Sequence, residues 1–141
     1  MQPVLESIRQ LPAYDRFRKS LGENNELPGL GLQRAARLPM VATLLEDLNR
    51  PILLVTDRAD HALSLYDELG FWTDRARYLF GEPNPLFYEQ AGWGVTTRRD
   101  RLQALTALAR TYLPFVEKNE WAPVLVTSTR SLMTRSMPRQ P

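Results

Sequence analysis

The residues that could bind a phosphate group lie in a glycine-containing segment just before the first long helical pattern. An ATP-binding loop has the pattern G-x-x-x-x-G-K-[ST], whose lysine reaches the β- and γ-phosphates and whose hydroxyl binds Mg²⁺. Here Gly29 is the first glycine, but Arg34 occupies the second glycine, Ala35 the lysine and Ala36 the hydroxyl. Arg34 could contact a phosphate, although its side chain would crowd a loop that must curl. We therefore predict no ATP hydrolysis and no bound cofactor or metal at this position.

A second candidate site is a cluster of three arginines, Arg98, Arg99 and Arg101. Thr97 and Asp100 have the spacing of a capping box, which places these arginines in the first turn of a helix. The helix dipole disfavours cations there. Either an anionic neighbour compensates for this conflict, or the arginines form a solvated cluster, which is the more common arrangement. The cluster is therefore a possible anion or DNA contact.

No other residues form a catalytic or metal-binding set. The chain has no cysteine, which excludes a thiolate metal site, a disulfide framework and a cysteine nucleophile. Its one histidine, His61, excludes a centre with several histidines and is expected to be a solvated or locally bonded helix residue. The adjacent carboxylates Glu46 and Asp47, and likewise Asp67 and Glu68, are expected on solvated helix faces. We predict no catalytic residue and no metal ligand.

Length and composition are those of an ordinary globular domain. The 141 residues suggest one domain, with 43% hydrophobic and 24% charged residues. The net charge of +2 is too weak to indicate nucleic-acid binding from charge alone, although arginine greatly outnumbers lysine. No apolar run approaches the roughly 20 residues of a membrane span, and the N-terminus lacks the features of a secretory signal. We expect a soluble cytoplasmic protein without membrane partners.

The elements that must position the candidate residues alternate between strands and helices. Residues 51–57 (PILLVTD) contain four consecutive apolar residues, typical of a parallel strand covered on both faces, and we expect this strand to organise the fold. Thr56 and Asp57 are N-cap types ahead of an amphipathic helix over residues 58–70. Residues 76–80 and 123–127 are predicted as further strands. This alternation predicts an α/β fold of three layers, a mostly parallel sheet flanked by helices.

The spacing of apolar residues predicts the remaining helices. Residues 1–22 are expected to form two short helices separated at Pro12. The helix over residues 33–49 either begins near Leu38, with Pro39 in its first turn, or is bent at Pro39. We expect the late start, because a proline beyond the first turn would cost about 3 kcal/mol or more. A longer helix is expected from Thr97 to about residue 113. Its inner face is predicted to consist of Leu102, Leu105, Leu108, Ala109 and Tyr112.

A long connection precedes that last helix. It runs from Gly81 to about Val95 and contains Phe87, Tyr88 and Trp93. Long loops in compact domains are usually functional or packed as lids. The simpler interpretation is that the aromatic side chains anchor the connection to the core, and we expect that arrangement.

Five segments, taken in order, resemble the N-terminal module of bacterial transcription-repair coupling factors, which is itself similar to the B subunit of the excinuclease. No one segment is highly specific, and the resemblance rests on their order over residues 26–138. The segments are residues 27–30 (LPGL) with 34–36 (RAA), 50–57 (RPILLVTD), 82–89 (EPNPLFYE), 100–105 (DRLQAL) and 124–135 (VLVTSTRSLMTR).

The resemblance implies a degenerate RecA-like, P-loop NTPase-like domain over residues 26–141, preceded by a helical extension over residues 1–25. In that family the module is a non-catalytic scaffold, and an adjoining inserted domain recruits the excinuclease A subunit to a stalled RNA polymerase. ATP, Mg²⁺ and DNA are bound by a motor elsewhere in the parent protein. The resemblance therefore implies a fragment that is not itself an enzyme and that has no cofactor of its own. It also implies a truncated sheet with an exposed apolar patch.

Two other functions remain open on the residues alone. One is a phosphate- or nucleotide-binding domain that uses Arg34 with Gly29 and Gly31. The other is a DNA-binding domain that uses the cluster at positions 98, 99 and 101.

Overall fold

The computed structural model describes residues 1–23, 30–83, 94–114 and 122–134. The predictions of a phosphate-binding turn at Gly29 and of an anchoring role for the aromatic residues 87, 88 and 93 concern residues outside these ranges. In chain order the described elements are α1 (Gln2–Arg9), α2 (Pro12–Gly22), α3 (Arg34–Leu48), β1 (Ile52–Thr56), α4 (Ala59–Leu69), β2 (Arg77–Phe80), α5 (Val95–Tyr112), β3 (Val124–Ser128) and α6 (Thr129–Met133). The three predicted strands and the alternation of strands with helices are confirmed.

The three strands form one parallel sheet in the order β1-β3-β2. Strand β3 is central, and all five of its residues are buried. The parallel strand predicted within residues 51–57 is present as β1, but the prediction that it is covered on both faces is wrong. Strand β1 lies at an edge of this sheet and alternates between half-buried and exposed residues. Leu53 and Val55 are 50% and 49% exposed. Among the described strands, β3 rather than β1 is therefore the central one.

Helices cover both faces of the sheet and give the α/β fold its layers. On one face, Ile52, Leu54 and Val124 pack with residues of α3 and α4, including Leu45 and Leu69. The opposite face packs against α5, through a cluster that contains Tyr78, Phe80, Leu125, Ala104, Leu105 and Leu108. Because that cluster contains residues of β2 and β3 but none of β1, the side chains of Leu53 and Val55 keep half of their surface exposed.

Helix α3 begins at Arg34, so the predicted start near Leu38 is wrong, and Pro39 lies inside the helix. A proline there removes the amide that would bond to the carbonyl of Ala35. Because Ala35 is exposed in the first turn, water can satisfy that carbonyl. The helix ends at Asn49, whose φ of 44° is left-handed and whose side-chain oxygen accepts a hydrogen bond from the amide of Ala122.

Helix α5 begins at Val95 with Gly94 as N-cap, so the capping box predicted at Thr97 is wrong. Its buried residues are Arg101, Ala104 and Ala107. The predicted apolar stripe is wrong in part, because Leu102 and Tyr112 are exposed, and so is Ala109. Leu105 and Leu108 do pack against the sheet, as predicted. The inner face is therefore rotated toward the small residues and toward Arg101.

The two N-terminal helices are separated at Pro12 as predicted, and they are tied to α3 by polar contacts. Arg9 donates to Glu46 at 2.5 Å and to Asp47 at 2.9 Å, and the hydroxyl of the buried Tyr14 donates to Asp47 at 2.7 Å. The prediction that Glu46 and Asp47 lie on a solvated helix face is therefore wrong. Hydrogen bonds to Glu46 and Asp47 raise the pKa of Arg9, and burial together with the Asp47 contact raises the pKa of Tyr14.

No helix among the described ranges is both long and apolar enough to cross a membrane.

Candidate functional site at the carboxyl ends of the strands

The carboxyl ends of the three parallel strands meet at one edge of the sheet, which is where α/β proteins usually bind ligands. Thr56 ends β1, Gly81 follows β2, and Ser128 ends β3. Two cavities open at this edge, one beside β1 and one between β2 and β3. The positions of the candidate residues are described below with respect to these two cavities.

The cavity beside β1 has a volume of about 510 Å³. Leu38, Leu54 and Leu65 contribute its apolar wall, and Arg34 and Arg37 line it from the first turn of α3. Ala35 and Ala36 are exposed in the same turn. Ala35 and Ala36, which occupy the lysine and hydroxyl positions of the ATP-binding pattern, therefore lie at the start of α3. Gly29 lies outside the described residues.

An Asp57–His61 pair lines the same cavity. His61 Nδ1 lies 2.7 Å from a carboxylate oxygen of Asp57, so the expectation of a locally bonded histidine is confirmed. This hydrogen bond lowers the pKa of Asp57. The predicted N-cap at Thr56 or Asp57 is wrong, because Arg58 is the N-cap of α4. The ion pair of Arg58 with Asp60 lowers the pKa of that carboxyl to about 2.

The charges around the β1 cavity are balanced. Arg34 and Arg37 are opposed by Asp57 and by Glu68, which also lines it. A site selective for a phosphate group would concentrate cations without nearby carboxylates. The β1 cavity is therefore suited to a small ligand of mixed polarity better than to a triphosphate.

The cavity between β2 and β3 has a volume of about 340 Å³. The hydroxyl of Ser128 donates to Glu82 at 2.8 Å and accepts a hydrogen bond from the amide of Ser131, which caps α6. Thr97 and Asp100 line the cavity from α5. These two bonds tie the end of β3 to Glu82 and to the first turn of α6.

The three arginines of the α5 cluster have different environments. Arg98 and Arg99 are exposed, whereas Arg101 is only 2% exposed. The prediction that Arg101 contacts an anion or DNA is wrong for this reason, since its side chain does not reach the surface. Arg34 does not join this cluster, because α3 and α5 pack against opposite faces of the sheet.

Arg101 instead connects β2, α5 and α6. Its guanidinium donates to the carbonyl of Gly81 at 2.9 Å, to the hydroxyl of Ser131 at 2.9 Å and to the carbonyl of Thr134 at 3.1 Å. It also stacks over the ring of Phe80, 3.8 Å from the ring centre. Burial lowers the pKa of Arg101. Sequence reasoning missed this network, because a charged residue beside an apolar stripe is normally assigned to the solvent side.

Among the described residues, the site brings together hydroxyls, carboxylates and arginines. Within the described ranges, no group of three or more His, Cys, Asp or Glu side chains could hold a metal ion. No family model, no curated protein and no solved structure matches this chain. The function is therefore inferred from the residues and their arrangement.

Proposed function

We propose that this chain is a non-catalytic scaffold segment of a transcription-repair coupling factor, with a RecA-like domain whose phosphate-binding loop has degenerated. In the parent protein, the segment would help to link a stalled RNA polymerase to excision repair, and an adjoining domain would recruit the excinuclease A subunit. The ATP, Mg²⁺ and DNA sites of the motor would lie elsewhere in the parent, in the cytoplasm.

The observation that carries this proposal is the first turn of α3. In an ATP-binding domain this turn presents a lysine and a hydroxyl at the carboxyl edge of a parallel sheet. Here the corresponding side chains are the methyl groups of Ala35 and Ala36, on a helix that packs against such a sheet. An ammonium group for the β- and γ-phosphates and a hydroxyl for Mg²⁺ are both missing from this turn, so the position cannot support hydrolysis.

The exposed face of β1 is consistent with the same proposal. Leu53 and Val55 lie on the side of the sheet that α5 covers at β2 and β3, and both are half exposed. Single exposed apolar residues are common, but an edge strand with an open apolar face is a surface that proteins normally cover. In the proposed parent, another part of the module would cover it.

Calorimetric titration with ATP and Mg²⁺ tests the loss of the nucleotide site. We expect no heat of binding for the wild-type chain, nor for the Arg34→Ala variant. Stoichiometric binding that disappears in Arg34→Ala would contradict the proposal and would support a nucleotide-binding domain.

Strand-specific repair tests the assignment to a coupling factor. When the gene that encodes this chain is disrupted, lesions in the transcribed strand should no longer be removed faster than lesions in the other strand. An unchanged preference for the transcribed strand would refute the assignment, whatever the outcome of the calorimetry.

The second candidate function is binding of a small ligand in the β1 cavity. Its support is the combination of an apolar wall with Arg34 and Arg37 on one side and the Asp57–His61 pair on the other. Concave sites with an apolar lining and a few convergent polar groups are the usual binding sites for small molecules. A thermal-shift screen of small zwitterionic ligands tests this, with loss of any shift expected for Leu54→Ala.

A further inference from the structure

Residues from two helices and one strand line the β1 cavity. Arg37 and Leu38 follow Arg34 by three and four positions on α3, so the three residues share one face of that helix. The lining residues of α4 repeat this spacing and are His61, Ser64, Leu65 and Glu68. Leu54 lines the cavity from β1, the strand on which α3 and α4 pack. The cavity is therefore a cleft between two helices, with the strand as its floor.

The lining is apolar inside the cleft and charged at its mouth. Leu38 is buried, and Leu54 and Leu65 are half-buried. Arg34 begins α3 and Asp57 directly follows β1, and both side chains are exposed. Cavities that combine an apolar lining with a few polar groups use those groups to orient a small ligand. A ligand that matches this cleft therefore has one apolar end and carries its charges together at the other end.

The charged groups at the mouth have opposite signs, and both kinds have capacity for a ligand. Among the described residues, Arg34 and Arg37 form no ion pair. His61 bonds to one carboxylate oxygen of Asp57, and a carboxylate has about four acceptor positions, so others remain for a ligand. That hydrogen bond lowers the pKa of Asp57, which keeps the carboxylate ionised at neutral pH. The mouth can therefore bind an anionic group and a cationic group together.

The second carboxylate of the cleft, Glu68, lies away from the mouth. An α-helix rises by about 1.5 Å per residue, so Glu68 lies about 10 Å beyond His61 along α4. His61 itself contacts Asp57 at 2.7 Å. The carboxylate and the ammonium group of an α-amino acid are bonded to the same carbon atom, so they match Arg34 with Asp57 and not Arg34 with Glu68. A ligand with one charge at each end would leave the apolar floor unfilled.

We propose that the β1 cavity binds a free α-amino acid with an apolar side chain, of which leucine is the representative. The ligand carboxylate binds to Arg34 and Arg37, its ammonium group binds to Asp57, and its side chain packs against the leucines of the cleft. This inference rests on the second candidate function, because it names the ligand of that site. It is independent of the scaffold assignment, which would stand if the inference failed.

Heteronuclear NMR titration of the chain with L-leucine tests the proposal, and the amide resonances of the cavity residues should shift and saturate. Three related compounds identify the ligand groups that are recognised. Isocaproate lacks the ammonium group of leucine, isoamylamine lacks its carboxylate, and ε-aminocaproate is an isomer of leucine with its charges at opposite ends. Because the loss of a hydrogen bond to a charged group weakens binding about 10-fold or more, each compound should bind more weakly than leucine by that factor.

Two variants assign the contacts on the protein side. Arg34→Ala/Arg37→Ala should weaken leucine binding by about 10-fold or more. The same variant should not weaken binding of isoamylamine, which has no carboxylate. Asp57→Asn should weaken binding of leucine and of isoamylamine, but not that of isocaproate, which has no ammonium group. This crossed pattern separates direct recognition of the ligand from a general loss of structure, which would weaken binding of all the compounds alike.

The matched controls are Arg50→Ala/Arg110→Ala and Asp67→Asn, which remove the same charges from exposed positions outside the cavity. They should bind leucine as the wild type does. The proposal is overturned if leucine does not shift the cavity resonances, if any of the three related compounds binds as tightly as leucine, or if the cavity variants bind as their controls do. Equal binding of the related compounds would reject only the amino acid and would leave the small-ligand function in place. If none of the four compounds binds and the thermal-shift screen finds no ligand, the second candidate function fails as well.

Discussion

Replacement of Arg101 is the most direct test of the fold. The side chain is buried, donates to Gly81, Ser131 and Thr134, and stacks over Phe80. An arginine at a surface position can usually be changed at a cost within about 0.5 kcal/mol. Here a buried residue that bonds to two other elements is removed, so a far larger effect is expected.

The magnitude follows from what each variant leaves behind. Arg101→Met retains most of the volume but leaves the carbonyls of Gly81 and Thr134 without this donor. Hydrogen bonds to a charged group contribute about 1.5–3 kcal/mol each, and such losses within one network are not additive. We therefore expect Arg101→Met to lower the free energy of unfolding by about 3–5 kcal/mol, because two carbonyls lose a charged donor. Arg101→Lys keeps the charge but loses the planar fork and the stacking, so about 2–3 kcal/mol is expected.

Replacing a buried charge by an apolar residue can be neutral when its partners are replaced as well. That outcome is not expected for Arg101→Met, because two of the partners are backbone carbonyls that no side-chain substitution removes. Since small domains are stable by only about 5–15 kcal/mol, the loss should be plain in an equilibrium experiment.

Urea unfolding, followed by circular dichroism, provides the measurement. Arg99→Ala is the matched control, because it changes an exposed arginine two residues away in the same helix. Its midpoint should lie close to that of the wild type. If Arg101→Met unfolds within 0.5 kcal/mol of the wild type, the guanidinium network contributes nothing measurable and the argument from burial fails.

Two further predictions concern the sheet and the N-terminal helices. Leu53→Lys should change the free energy of unfolding by less than about 0.5 kcal/mol because Leu53 is half exposed. Leu54→Lys places a charge against the core cluster and should lower the free energy of unfolding by considerably more, so equal effects in thermal unfolding would refute the observed alternation. The raised pKa of Tyr14 means that its stabilising contribution is complete below pH 10 and is lost as the pH rises further, because the unfolded chain then releases the phenol proton and the folded chain keeps it. Urea titrations should therefore show the advantage of the wild type over Tyr14→Phe shrinking as the pH rises above 10, and a constant difference would contradict the assignment.

The strands and helices could be found from the sequence because their signals are local. An apolar run between turn residues predicts a strand, and spacings of three and four predict a helix. The break between α1 and α2 could also be predicted, because Pro12 is a local signal for the start of a new helix. Local signals do not state which strand lies in the middle. The apolar runs of β1 and β3 are nearly alike in sequence, and only the tertiary order β1-β3-β2 makes one an edge and the other fully buried.

The candidate site was harder to predict, because the sequence shows residue types and not the direction of their side chains. Of the candidate anion contacts, Arg34, Arg98 and Arg99 are exposed, whereas Arg101 is buried. The bonds of Ser128 to Glu82 and of Arg101 to Ser131 join residues that are 46 and 30 positions apart in the chain. No local pattern contains such pairs, so they become visible only when the sheet is assembled.

The opposite environments of Arg99 and Arg101 follow from helix geometry once one fixed point is known. Residues two positions apart on a helix, such as Arg99 and Arg101, are separated by about 200° around its axis, so their side chains cannot share a face. The fixed point is Ala104, which is fully buried against Phe80 and lies three residues after Arg101, on the same side of α5. The small side chain of Ala104 lets α5 approach the sheet closely. Position 101, one helical turn earlier on the same side, then needs a long side chain that can reach the strand ends. Arg101 meets that requirement because its aliphatic stem crosses the core while its guanidinium bonds to carbonyls at the sheet edge.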